Sequence, residues 1–256
     1  VIVRHLQLSD AYDHFPAWDP KDNPRGEWNS EYDNLSLRNA RRVWVDHCSF
    51  DDGQRPDRDE PVRLGRRLQK HDGLLDITRQ SDAVTVSWNH FRRHDKTSLV
   101  GGGDGSVADE GRLRVTYHHN HWEDVKERAP RVRYGRVHLY NNLYSVTDEA
   151  AHGYSIGVGL RSRIVAQNNV WVTPPGLPAG RLLRWWGGSA LADSGSLLNG
   201  QPVDLLATLR AAQPERTFEA DVGWWPHLAG GLESTTNLAE RVRLGAGASR
   251  APATGR

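Results

Sequence analysis

The 256-residue chain has no methionine and one cysteine, Cys48. A single thiol excludes an internal disulfide, and Cys₄ or Cys₂His₂ zinc sites with it. No apolar run approaches the ~20 residues that a membrane-spanning helix needs. Charge of one sign is not in excess either: 33 Lys and Arg face 32 Asp and Glu, for a formal net charge of +1. That excludes a globally basic nucleic-acid binder, so any site for a polyanion has to be a local patch. A signal-peptide pattern is absent, and Val1-Ile-Val reads like the middle of a strand. The chain is therefore expected to be a fragment or a processed form without its natural start. Amphipathic helix patterns are scarce; the best candidate is Val203 to Ala212, ended by Gln213-Pro214. Gly101-Gly-Gly-Asp-Gly105 is no phosphate loop, since no Lys-Ser/Thr follows it and no helix opens there. It reads as a flexible loop.

The sequence does have a repeat. Val43-Trp-Val-Asp-His-Cys-Ser-Phe50, Val84-Thr-Val-Ser-Trp-Asn-His-Phe91, Val115-Thr-Tyr-His-His-Asn-His-Trp122, Val137-His-Leu-Tyr-Asn-Asn-Leu-Tyr144 and Ile164-Val-Ala-Gln-Asn-Asn-Val-Trp171 align. Each opens as a short alternating strand and closes on an aromatic at one offset. Asn89, Asn120, Asn142 and Asn169 share one position, which Cys48 fills in the first segment. Irregular spacing between segments fits coils that carry loops of different length. Stacked asparagines at a tight bend can bond backbone groups and each other, and asparagine tolerates a left-handed conformation. The pattern predicts an all-β chain, a right-handed parallel β-helix, as one domain over residues 1–244. A β-sandwich of short strands is the alternative, but it does not account for the shared asparagine offset. Residues 9–30 and 51–70 are polar loops expected outside the coil. The Gly/Ala/Arg/Pro tail, 245–256, is expected to be disordered.

Two groups of residues carry chemistry. Arg128-Ala-Pro-Arg-Val-Arg-Tyr-Gly135 sets three arginines beside a strand, and a guanidinium fork matches a carboxylate. Lys96 adds a cation upstream. Asp72 and Asp76 flank the start of one strand, and Glu31 and Asp33 precede Leu35-Ser-Leu37 on an earlier one. On neighbouring rungs Asp33, Asp72 and Asp76 converge, and carboxylates held that close repel unless protonated or sharing a cation. Oxygen ligands without nearby cysteine favour Ca²⁺; solvated turn acids are the plainer reading. Together the cations and acids suggest an anionic substrate bridged by a metal. Asp46 and His47 are expected to hold a turn through buried hydrogen bonds. Of His118, His119 and His121, at most the last two share a face, so zinc is not expected. The sequon Asn34-Leu-Ser36 overlaps a predicted strand and is discounted.

Trp28-Asn-Ser-Glu-Tyr-Asp33, Val43-Trp-Val-Asp-His47, His71-Asp-Gly-Leu-Leu-Asp-Ile77, Val84-Thr-Val-Ser-Trp-Asn89, His94-Asp-Lys-Thr-Ser-Leu99, Val115-Thr-Tyr-His-His-Asn120 and the Arg128–Gly135 stretch occur in this order. Jointly they resemble signatures of the pectate lyases of polysaccharide lyase family one, from Val1 to about Trp171. The resemblance implies a parallel β-helix and Ca²⁺-dependent β-elimination of polygalacturonate. It places calcium-binding acids at Asp33, Asp72 and Asp76, with Glu31 as an accessory acid. Lys96 and Arg133 become substrate-binding residues and Arg128 the catalytic base. Taken from its residues alone, Arg128 reads as a ligand contact or an ion-pair partner. The resemblance further implies a secreted monomer that engages neither nucleic acid nor membrane, and that lacks here the family's N-terminal cap. Two alternatives stay open: a calcium-independent pectin lyase on methylated polymer, and a non-catalytic pectin-binding β-helix. Hydrolysis is disfavoured, because no carboxylate pair is set up as acid and nucleophile.

Overall fold

A computed structural model describes residues 1–228 and 231–248. The chain winds as a right-handed parallel β-helix, and each turn contributes one strand to each of three sheets. The first sheet, called the site sheet here, stacks Leu35–Arg38, Leu75–Thr78, Leu99–Val100, Arg131–Val132, Ile156–Gly159 and Leu183–Trp186 in chain order. The second has seven strands, from Ile2–Arg4 to Ala190–Ser194, and the third has eight, from Gln7–Ser9 to Gln201–Pro202. All coil-to-coil pairings are parallel and in register, as Val43, Val84, Val115, Val137 and Ile164 illustrate.

Alternation in these strands sends one set of side chains inward. The aromatic offset of the repeat becomes an interior column of Phe50, Phe91, Trp122, Tyr144 and Trp171. Successive rings lie 4.8, 4.4, 6.1 and 4.4 Å apart and nearly parallel. Offset stacking of this kind adds to the burial of each ring.

The asparagine ladder forms at the bend between the second and third sheets. Asn89 Nδ2 donates to Asn120 Oδ1 at 3.0 Å, Asn120 to Asn142 at 3.0 Å, and Asn142 to Asn169 at 3.0 Å. Each Nδ2 also donates to a backbone carbonyl one rung back, and each Oδ1 accepts the backbone N–H of the preceding ladder residue. Cys48 enters the ladder only through its backbone N–H, which donates to Asn89 Oδ1 at 2.8 Å. The left-handed conformation falls one residue earlier than the sequence pattern suggests, on His47, Trp88, His119, Asn141 and Asn168, with φ from +48° to +55°. The ladder amides are therefore kept for hydrogen bonding rather than for turning the chain. Asn120→Ala strips four such bonds in a fully buried bend, each orphaned group costing about 1–3 kcal/mol. The variant is expected to lose at least about 3 kcal/mol, read as a lower urea midpoint at unchanged m.

Turns after the third sheet carry the outer loops. Two antiparallel hairpins, Ala17–Asp19 with Glu27–Asn29 and Val62–Arg63 with Arg66–Arg67, lie in the polar stretches expected outside the coil. Helix α1, Leu205–Ala212, is capped by Asp204, whose Oδ1 accepts from the Ala207 N–H. It buries Leu205, Leu206 and Leu209 in the main core. A second helix, α2 (Leu238–Gly245), lays Leu238 and Val242 on Leu143 and Val170 of the third sheet. The tail expected from Gly245 overlaps this docked end. Ala246 is buried, Gly247 N–H donates to Trp88 O, and Ala248 N–H donates to Ser49 Oγ. Residues 249–256 lie outside the described residues.

Candidate active site

The acid residues stand where the loops enter the site sheet. Register pairs Leu35 with Leu75, and the segments before them also run side by side: Asn34 N–H donates to Gly73 O, and Asp72 N–H to Tyr32 O. Asp33 Oδ1 accepts from Gly73 N–H at 2.9 Å. Gly73 lies between two carboxylates; a Cβ there would stand 2.6 Å from Asp76 Oδ1 and 3.0 Å from Asp33 Oδ1. Only a residue without a side chain leaves that space open. Asp76 is buried, and its Oδ1 accepts from Leu99 N–H at 2.9 Å.

The electrostatics follow from this crowding. Burial, then the charges of Asp33 and Asp72, push the Asp76 carboxyl well above its usual range. Burial and Asp72 push Asp33 up as well, against hydrogen bonds from Gly73 and Ser36. Two carboxyls forced toward protonation, with hard oxygen donors facing one space, are a donor set that suits a hard divalent cation. Glu31 stays apart: it is exposed and makes no hydrogen bond or ion pair with the three aspartates.

The cations sit on the same side. Lys96 is buried and its Nζ lies 3.3 Å from Asp72 Oδ1. Arg128 adopts φ +62° at the entry to the Arg131–Val132 strand, pinned by Ser98 N–H on its carbonyl. Its Nε lies 3.2 Å from Glu127 Oε1. Burial lowers the Arg128 pKa, but Glu127, Tyr154, Asp76 and Asp72 outweigh burial, and the net shift is upward. Arg133 is held one rung along by Asp104 Oδ1 at 2.6 Å and by Gly101 O at 3.3 Å. The Tyr134 hydroxyl also bonds Asp104 O. The glycine-rich loop that read as flexible is thus tied down by Arg133 and Tyr134.

Sequence reasoning missed the support behind Asp72. His94 is buried, with Nδ1 2.6 Å from Asp52 Oδ1 and Nε2 2.6 Å from Asp72 O. His71 is gripped in the same way by Asp57 at 2.8 Å and Asp10 at 3.3 Å. The two imidazoles fix the backbone on which Asp72 is carried. The one usable signal was His94 two residues before Lys96. Asp46 and His47 behave as expected: buried Asp46 bonds Arg4, His47 and Ser87.

Two other features compete for attention. A cavity of about 580 Å³ lies between the outer loops, lined by Asp52, His94, Asp95 and Lys126 but by none of Asp33, Asp72, Asp76, Lys96 or Arg128. It therefore lies apart from the crowded carboxylates and the cations beside them. Among the described residues, the His/Cys/Asp/Glu group whose donor atoms close to within 4.8 Å is His90, His121 and Glu123; the aspartates are more open. The two imidazoles there stack 4.6 Å apart at 5°, so their lone pairs run side by side instead of converging. His90 Nε2 is already bonded to Glu123 and His121 Nε2 to Ser145. This is a hydrogen-bonded ladder, which leaves the aspartates as the better candidate for holding a cation.

A family model described as pectate lyase matches residues 1–218. The Bacillus subtilis pectate lyase is 41% identical over 254 residues, covering 98% of this chain and 59% of that protein. Pectate lyase E of Dickeya chrysanthemi is 36% identical over 86% of this chain and 59% of its own. A solved pectate lyase bound to a hexasaccharide superposes with a TM-score of 0.91 at 41% identity, over 97% of this chain and 61% of the other. A thermostable pectate lyase gives 0.94 at 38%, over 98% and 62%. The chain spans about three fifths of the length of these relatives.

Proposed function

Because the chain belongs to the pectate lyase family, we propose that it cleaves de-esterified polygalacturonate by calcium-dependent β-elimination, leaving a 4,5-unsaturated end. The observation that carries this reading is the crowding of Asp33, Asp72 and Asp76 about Gly73, next to Lys96 and Arg128. Asp33, Asp72 and Asp76 are the residues that would hold Ca²⁺, and the bound ion would supply positive charge to the uronate carboxylate and acidify the neighbouring C5–H.

The chain's own groups account for the rest. Lys96 and Arg133 donate to the carboxylate oxygens, on which charge grows as the C5 proton leaves. Arg128 accepts that proton, the C5–H electron pair becomes the C4–C5 double bond, and the C4–O bond breaks. The departing oxygen takes a proton from solvent. Arg128 can act as a base only in its neutral form, and its upward shift makes that form rarer. Neutralising the acids beneath it relieves the shift, and alkaline conditions do the remainder. Glu31, two residues before Asp33, is assigned only an accessory role.

Ultraviolet absorbance of the unsaturated product on polygalacturonate at alkaline pH tests the proposal. Product is expected with Ca²⁺ and none with excess chelator. Product that survives the chelator would favour a pectin lyase, and its absence in both conditions would leave a binding protein. A polymeric wall substrate implies action outside the cell, as a monomer. No helix among the described residues is long and apolar enough to cross a membrane.

A further inference from the structure

The site sheet continues past the residues used so far, and its far end has the opposite character to the acid end. Strand register runs from Asp76 through Leu99 to Arg131, Gly157 and Arg184 along one outward-facing row. A second row carries Arg133, Gly159 and Trp186. In Ile156–Gly159 the inward positions are the fully buried Ile156 and Val158, and both outward positions are glycine. A Cβ at Gly157 would stand 2.8 Å from Arg131 Cγ and 3.1 Å from the Tyr154 ring. Glycine in a strand interior marks close approach. Here it lets Arg131 lie flat across one rung and set its guanidinium over Trp186 on the next, 4.1 Å from the ring centre. Arg184 covers the same indole at 4.8 Å.

Two guanidinium groups thus share one aromatic ring, and no carboxylate among the described residues pairs with either. The acid whose charge reaches Arg131 is Glu127, which is already paired with Arg128. Polar atoms beneath the pair also lack partners: Arg131 Nε, Trp186 Nε1 and the hydroxyl of Tyr154, itself 1% exposed. The Trp186 N–H turns its dipole toward the Tyr154 oxygen without reaching hydrogen-bond geometry. Burial and the neighbouring cations Arg133 and Arg128 depress Arg131 to about 10, the mark of a cation short of an anion. Arginines stacked on an aromatic are held in the planar pose that grips a carboxylate with two parallel bonds.

We infer that Arg131, Arg184 and Trp186, with the Tyr154 hydroxyl, form a distal subsite that takes a uronate carboxylate of the same polymer. Arg184 lies four strands from Asp76, roughly 19 Å at about 4.8 Å per strand. The polymer would therefore be gripped several sugars from the bond being cut. This rests on the reading that an acidic polysaccharide runs along the site sheet. An ester or neutral sugar offers the two guanidiniums no charge, so the subsite selects for de-esterified chain.

The test is calorimetric titration of hexagalacturonate, and of its methyl-esterified counterpart, into Arg128→Ala protein in saturating Ca²⁺ at neutral pH, where cleavage is slowed by roughly 10³-fold or more. Adding Arg184→Ala is expected to weaken hexagalacturonate about tenfold, the value of one charge-assisted contact. The esterified hexamer should bind both proteins equally. Arg184→Lys should recover only part of the loss, since an ammonium neither stacks nor forks. Arg184 is exposed, so the variant keeps its fold. Equal hexagalacturonate affinity with and without Arg184 overturns the subsite, as does an equal loss on the esterified hexamer, or no binding by the parent. The lyase reading fails separately, when wild-type protein with Ca²⁺ yields no unsaturated product. An Arg184-dependent affinity would then still establish the subsite.

Discussion

Arg128→Ala is expected to lower turnover on polygalacturonate by roughly 10³-fold, within the range that a positioned general base supplies. The fold should survive. The side chain's ion pair is with its own neighbour, Glu127, and the backbone is held by ladder bonds to Ser98 and Ser155 that alanine keeps. Alanine and arginine bear a similar cost at φ +62°, because both carry a Cβ. What distinguishes a base from a substrate contact is which kinetic constant moves. A contact made equally to substrate and transition state raises KM and spares kcat; a base lowers kcat. The pH profile supplies the second distinction. With its pKa shifted upward, Arg128 gains neutral form only as pH rises, so the wild-type rate should climb through the alkaline range. Arg128→Lys puts there a group that releases its proton about two units lower but lacks the planar fork. It should be much slower than wild type, with its rise displaced to lower pH. Loss confined to KM, or an unmoved profile, would reduce Arg128 to a binding residue.

The parts of the molecule that were legible in the sequence are those in which one coil repeats the next. Asn89, Asn120, Asn142 and Asn169 recur because each bonds its equivalent one rung away, so stacking writes the same residue at the same offset. The aromatic column was visible for the same reason. Asp33, Asp72 and Asp76 could be brought together because they flank strands that pair directly. Contacts between unlike segments left no such trace. His94 meets Asp52 across 42 positions, and nothing near either residue marks the other. Asp104 sits in a stretch whose glycines suggest mobility, yet a buried arginine 29 positions later pins it. Helix α2 was missed because its apolar stripe is only Leu238, Val242 and Ala246, set among Glu240, Arg241 and Arg243. A stripe that short is stable only through the sheet it covers, which is a tertiary fact. The left-handed residue of each bend escaped because its type changes from coil to coil, through His47, Trp88, His119, Asn141 and Asn168, so no shared residue marks the position.

Asp76→Asn is expected to separate stability from activity, raising the stability of the metal-free protein while lowering the rate measured in Ca²⁺. Asparagine keeps an oxygen to accept from Leu99 N–H while removing the charge that burial, Asp33 and Asp72 oppose. Without metal, the raised pKa values of Asp76 and Asp33 mean that the folded state keeps protons which the unfolded chain has released. Stability from these groups is therefore complete below their ordinary value of 3.8, and is lost as pH rises through their folded-state values. At neutral pH in chelator the parent carries a carboxyl whose ionisation burial and its neighbours oppose, and Asp76→Asn should melt higher than the parent. In Ca²⁺ the order should reverse. A ligand that binds only the folded state stabilises it in proportion to the logarithm of its concentration over Kd. The variant, having lost a donor, should need more than about 100-fold more Ca²⁺ for the same shift, since even outer partners of a metal ligand are worth 10- to 100-fold. Its lyase rate at ordinary Ca²⁺ should fall to a similar degree or further. Melting both proteins at neutral pH, with chelator and with Ca²⁺, decides the matter. A variant that melts lower than the parent in both conditions would mean that Asp76 is a plain structural acid, and that the cation site lies elsewhere.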